Sequence, residues 1–445
     1  MASYDEFSTL VGQIKRSAID LFMKDEGYDL MGGEYVNGNR GSDLKVSRPG
    51  ADGEGGGDWS VDDFLIEWLQ NESKDAYFQE SFANIRASVD AIVEPWTDLP
   101  DPADVEPIVE TCRQVTRRLA AGGSTSDGAA SGGGPLAGTL SLIEQNLNAM
   151  SGQAIAAFKD KFLAQLGLAV SGYHAISIAR GVNVASQQGL WQAARDDVAA
   201  ILQTATQKID AAVDAGSVDW NQVLTVVGWA AKGLSIFASG GATLPLQVAG
   251  LGIEILKDPP TGGNEVDKSF GDYAGAMDTL QGMLQGLSDR IAAEEQAIID
   301  NITKNLANIR ADTSSYDLSP PSVSGQDEVI AINPPLIEEI TGTYMPSVKS
   351  ELDSIASLAL GCTTSAAVSR DPSIGVGVYG PSYTLYDLTV MLYELIKNLS
   401  WEVELGAQIL HLVVGDFELA EQQRLDELDR LNEAIAAGSS YDPWD

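Results

Sequence analysis

The side chains able to do chemistry are few. The chain has two cysteines, Cys112 and Cys362, and two histidines, His174 and His411. The cysteines lie far apart and can form one disulfide, but no spacing demands it, and two small buried thiols are the plainer expectation. Each histidine sits in an apolar, helix-like stretch. That suits a packed or half-exposed imidazole better than a metal ligand or a triad member. Adjacent acids recur, as at Asp62/Asp63, Asp196/Asp197 and Glu294/Glu295. In a chain with 64 acids such pairs arise by chance, and they read as solvated faces rather than acid/base pairs or calcium ligands. The run from Asp426 to Glu433 lacks the ligand spacing of an EF-hand. No C-x-x-C, H-E-x-x-H, P-loop or G-x-S-x-G pattern occurs. The residues therefore predict a protein that is not an enzyme, with no metal and no cofactor.

The net charge of -37 comes from 64 acids against 27 bases. Such a surface repels nucleic acid and anionic membranes. It fits either a surface adapted to salt or an acidic secreted protein. A chain of 445 residues is long enough for two or three helical units. The first residues, Met-Ala-Ser-Tyr-Asp-Glu-Phe, show no basic region followed by an apolar one, which predicts no Sec-type signal peptide there.

The elements that would position these residues read as helices throughout, because apolar residues recur three or four apart and no long period-two run appears. Residues 1–80 form an N-terminal acidic extension: one or two short helices, a Gly-rich loop from Gly32 to Asp58, and a helix opening at Asp58–Asp63 with Ser60 as N-cap. Residues 81–312 form a helical bundle, with a turn at Glu94–Pro102, a Gly/Ser-rich linker from Ala121 to Pro135, and a break near Met150-Ser-Gly152. Within it, residues 223–256 are the most apolar stretch. Lys232, Pro245 and Glu254 interrupt it, so it predicts a buried helical hairpin turning at Ser239-Gly-Gly-Ala242 rather than a span of about 20 apolar residues. A long helix from about Lys268 to Asp312 ends the bundle. A Pro/Ser linker at 313–335, a C-terminal helical hairpin at 336–437, with a loop holding Gly375, Gly377 and Gly380, and a tail at 438–445 complete the reading. The final helix carries the longest stripe: Leu388, Leu392, Leu395, Leu399, Val403, Gly406, Leu410, Val413, Phe417 and Ala420. The predicted class is all-α, built from long antiparallel hairpins and bundles.

Two places resemble the WXG-like proteins of the type VII (ESX) secretion system of actinobacteria. Phe417 and Glu421 stand four apart where that family carries its Y-x-x-x-[DE] export signal, with phenylalanine in place of tyrosine. Spacing of four puts ring and carboxylate on one helix face. At Met150-Ser-Gly152, followed by Gln-Ala-Ile-Ala-Ala-Phe158, the chain is similar to the W-x-G hairpin turn, with Met150 in place of tryptophan. Glycine frees the chain to reverse, and methionine can plug the hairpin end. The resemblance implies a non-enzymatic helical protein, secreted or at the cell surface without a Sec signal and cytoplasmic before export. It would act through protein–protein contact with the secretion machinery, a partner helical protein or further copies of itself. Two other readings stay open. In one, an α-helical pore-former inserts 223–256 into a membrane. In the other, the protein is a cytoplasmic acidic scaffold of a salt-adapted organism.

Overall fold

A computed structural model describes residues 2–37, 44–61, 74–120, 134–223, 225, 228–239, 265–318, 333–412, 421–441 and 444. The longer helices among them are α1 (Phe7–Asp25), α2 (Asp75–Val93), α3 (Pro102–Leu119), α4 (Pro135–Asn148), α5 (Ala164–Ala215), α6 (Trp229–Ser239), α7 (Tyr273–Ala311), α8 (Met345–Leu360), α9 (Ser382–Leu410) and α10 (Glu421–Ala437). The described chain is thus predominantly helical, as the three/four spacing predicts. Caps mark several starts. Asp101 accepts a hydrogen bond from Ala103 N ahead of Pro102 at the start of α3, and Asp272 accepts one from Gly275 N at α7.

Five of these helices are arranged round α5, whose 52 residues reach about 78 Å at 1.5 Å per residue. It is entered through Gln153–Ala157 and a π-helical turn, Phe158–Leu163. Helices α1, α3, α6, α7 and α9 all pack against it. From Ala175 to Gln187 every residue is buried, so this helix is covered all round and shows little amphipathic stripe. The stretch Ala154–Ala215 is long and apolar enough to cross a membrane, but its apolar part is mostly covered by the neighbouring helices. The core it organises includes Ile176, Val182, Leu190, Trp191, Leu280, Ile291, Leu352 and Leu392. Helix α1 belongs to this core, with Ile14, Ile19 and Leu21 fully covered.

Two small sheets depart from an all-helical reading. Strands β1 (Asp29–Met31), β2 (Glu34–Asn37), β3 (Leu44–Ser47) and β4 (Trp59–Val61) form an antiparallel meander where a Gly-rich loop was expected. Tyr35 pairs with Val46, and both are buried. The Tyr35 hydroxyl and the Arg48 guanidinium both donate to Asp20 of α1, fastening the meander to the helix. Ser60, expected as a helix N-cap, lies in β4 opposite Lys45. Strands this short are too brief to show an alternating pattern.

The second sheet pairs β5 (Val218–Val223) with β6 (Glu265–Phe270), from Val218 opposite Phe270 to Val223 opposite Glu265. This ribbon brackets the apolar segment, and α7 begins at Tyr273 rather than near Lys268, which lies in β6. Of the expected apolar hairpin, α6 is described; its turn at 240–242 and its second arm lie outside the described residues.

Candidate functional site

Helix α6 has 11 residues and lies against the middle of α5. Gly181, Ala185 and Gly189 recur every four residues on α5 and make a shallow strip on one face, of the kind that lets two helices approach closely. The Phe237 ring fills the space over Gly181, where any Cβ would overlap it. A Cβ at Gly189 would stand 2.5 Å from the Trp229 ring and 2.7 Å from Ile236 Cδ1. From the other side, a Cβ at Gly233 would stand 2.5 Å from the Val182 carbonyl oxygen and overlap Ser186. Phe237 is fully buried, whereas Lys232 stays exposed with its Nζ 4.3 Å from the Trp229 ring centre.

Buried charges hold both ends of this element. Ahead of α6, the Thr225 amide donates to both oxygens of Asp197 at 2.8 and 2.7 Å, and its hydroxyl donates to Oδ1 at 2.9 Å. The Gly228 amide donates to Glu294 Oε1 at 2.5 Å. Asp197 is 2% exposed and Glu294 1%. At the far end, Arg113 of α3 donates to the Ile236 carbonyl at 2.7 Å and the Phe237 carbonyl at 3.1 Å. Acids at a helix N-terminus and a cation at its C-terminus satisfy the free backbone groups and oppose the helix dipole.

Next to this site, Glu295 of α7 pairs with Arg370 from the segment between α8 and α9. Arg370 also donates to the Ile374 and Val368 carbonyls and stacks 4.5 Å from the Trp191 ring centre. The Val376 amide donates to Glu295 Oε2 at 2.8 Å. Burial pushes the Glu295 carboxyl up and the Arg370 guanidinium down, and their mutual attraction opposes both shifts.

The reading of the acid pairs as solvated faces is therefore corrected for Asp197, Glu294 and Glu295, which are all buried and bonded; Asp196 is exposed, and Asp62/Asp63 lie outside the described residues. One signal was present in the sequence. Glu294 and Glu295 fall between Ile291 and Ile298 of the apolar stripe, so at least one had to approach the core. Met150 is buried at the turn after α4, and Gly152 takes φ +145°, a conformation that favours glycine. Helix α4 packs chiefly against α8 and the Ile340–Tyr344 turn, and meets the chain beyond Gly152 at Phe158–Leu163. Glu421 is the first residue of α10, while Phe417 lies outside the described residues. His174 is largely surrounded by protein on α5, and this desolvation lowers its imidazole to about 4; His411 is exposed beyond α9. Among the described residues no group of three or more His, Cys, Asp or Glu is placed to hold a metal ion.

The chain matches no family model, and no curated protein or solved structure matches it significantly. What the geometry defines is a class by architecture: a predominantly helical protein built on one long buried helix, with a short apolar helix clamped to it.

Proposed function

We propose that the protein is a helical membrane-inserting, pore-forming protein that stores α6, the described part of its apolar segment 223–256, against α5 and releases the segment to insert. The observation that carries this reading is how α6 is held. A short apolar helix lies on a small-residue strip, fixed at its ends by Asp197, Glu294 and Arg113. The antiparallel ribbon β5–β6 ties together the two chain ends of the segment. The segment can thus leave while α5 and α7 keep their contacts with each other. Its charges limit the depth of insertion: Lys232 or Glu254 at a bilayer centre costs on the order of 3 kcal/mol each. The net charge of -37 directs the protein to neutral rather than anionic lipid.

The test is dye release from phosphatidylcholine vesicles. The wild-type chain should release dye. Arg113→Ala, which frees the Ile236 and Phe237 carbonyls, should speed release at least threefold. Phe237→Asp should abolish it with the far-ultraviolet circular dichroism retained. No release by either wild type or Arg113→Ala would overturn the reading.

A second reading, export by a type VII system, is favoured by the C-terminal helices. Leu431 of α10 packs on Leu405 and Ile409 of α9 and on Leu412 just beyond it, so α10 lies back against the end of α9. In this reading Phe417 and Glu421 are recognised by the secretion machinery. Glu421→Ala should leave the melting temperature unchanged and remove the protein from the culture supernatant. Normal secretion of a folded Phe417→Ala/Glu421→Ala variant would end it.

A further inference from the structure

The two cysteines, so far apart in sequence, meet in the core. Cys112 lies on α3 and Cys362 just past the end of α8, at 0% and 1% exposure. Between them stands Arg180 of α5, itself 0% exposed. One guanidinium nitrogen, Nη2, is 3.0 Å from Cys362 Sγ and 3.6 Å from Cys112 Sγ, and Nη1 donates to the Ala359 carbonyl at 3.0 Å. Arg180 Nε has no hydrogen-bond partner among the described residues. A buried guanidinium is costly without a negative partner, and the groups that offset its burial are the two sulfurs.

We propose that Cys112 and Cys362 are a dithiol site that closes to an intramolecular disulfide by exchange with a small-molecule disulfide, with Arg180 as the positioning residue. Arg180 Nη2 stands beside both sulfurs and favours the thiolate over the thiol. In the first step the thiolate of one cysteine attacks one sulfur of the oxidant, forms a mixed disulfide and expels one thiolate. In the second, the other cysteine loses its proton, its sulfur attacks the sulfur of the first, and the second thiolate leaves. The protein loses two protons and two electrons, and one oxidant disulfide becomes two thiols. Both sulfurs are covered, so exchange requires local opening. Cys362 lies in the irregular stretch after α8, the natural place for that opening. The bond formed ties α3, which carries the α6 clamp Arg113, to the end of α8.

The experiment exposes the full-length chain to oxidised glutathione, with and without urea well below the unfolding midpoint. Products are read by intact mass and by thiol titration after denaturation. The expected product is a monomer lighter by two hydrogens with no titratable thiol. Cys112→Ser and Cys362→Ser should each stop at the glutathione adduct of the remaining cysteine. Arg180→Met, which keeps the volume and removes the charge, should slow the folded protein at least tenfold while leaving thiol reactivity in denaturant unchanged, and Arg180→Lys should recover part of the rate. Two thiols surviving in both conditions, a bis-glutathione product, or an Arg180→Met variant that oxidises as fast as wild type would each overturn the proposal.

Discussion

Nη2 of Arg370 lies 2.6 Å from both carboxylate oxygens of Glu295, and neither side chain is exposed. Through this pair the segment between α8 and α9 is fastened to α7, with Trp191 of α5 stacked against the guanidinium. Removing one partner of a buried pair leaves the other charged and uncompensated. Glu295→Ala is therefore expected to cost about 3–5 kcal/mol in urea unfolding. The double variant Glu295→Met/Arg370→Met should recover at least half of that loss. Equal losses in the single and double variants would show that the pairing itself carries nothing.

The glycines around the pair should separate backbone strain from crowding. Gly377 and Gly380 both have positive φ, +75° and +48°. Among the described residues a Cβ at Gly377 meets nothing within 4 Å, whereas one at Gly380 overlaps the Glu295 carboxylate. Gly377→Ala should cost about 1–2 kcal/mol, the price of the left-handed conformation alone. Gly380→Ala should cost at least about 1 kcal/mol more, because overpacking is added to strain. Thermal or urea unfolding of the two variants side by side decides this, and equal costs would contradict it.

Glu402 on α9 predicts a pH dependence. Burial first, and then neighbouring Asp317, push its carboxyl up to about 9, and one of its oxygens has no hydrogen-bond partner among the described residues. The folded protein thus keeps a proton that the unfolded chain gives up above about 4.3. The sign follows: the group's contribution is complete below that value and is lost as pH rises towards the folded pKa. Glu402→Gln, neutral at every pH, should gain on wild type by about 2 kcal/mol between pH 5 and pH 8, a figure discounted for the partial exposure of the side chain. Parallel stability profiles for the two proteins would refute it.

Much of the helical framework was legible residue by residue. The stripe through Leu388, Leu392, Leu395 and Leu399 is buried as its spacing requires. So is the stripe through Leu280, Met283, Leu287 and Ile291. The break at Met150–Gly152 was also legible, because a glycine between two periodic runs marks a reversal. The meander was not. Its strands have three or four residues, and its glycines read as loop because they do serve its turns, as Gly32 and Gly33 do with positive φ. The candidate site was half visible: residues 223–256 stood out as apolar, but nothing in them named what would hold them.

The sequence by itself determined that this chain is mainly helical, strongly acidic, and carries one apolar segment between two long helices. These properties belong to each stretch alone, since helical periodicity is set by neighbours three and four residues away. Only the tertiary structure decided which of 64 acids would be buried and bonded. Asp197, Glu294 and Glu295 look like any other acid until Thr225, Gly228 and Arg370 are brought to them. It also decided that Cys112 and Cys362 would share Arg180, because that meeting requires α3 and the end of α8 to close on the same turn of α5. Contacts between distant segments depend on how the helices pack, and no local pattern of residue types encodes that.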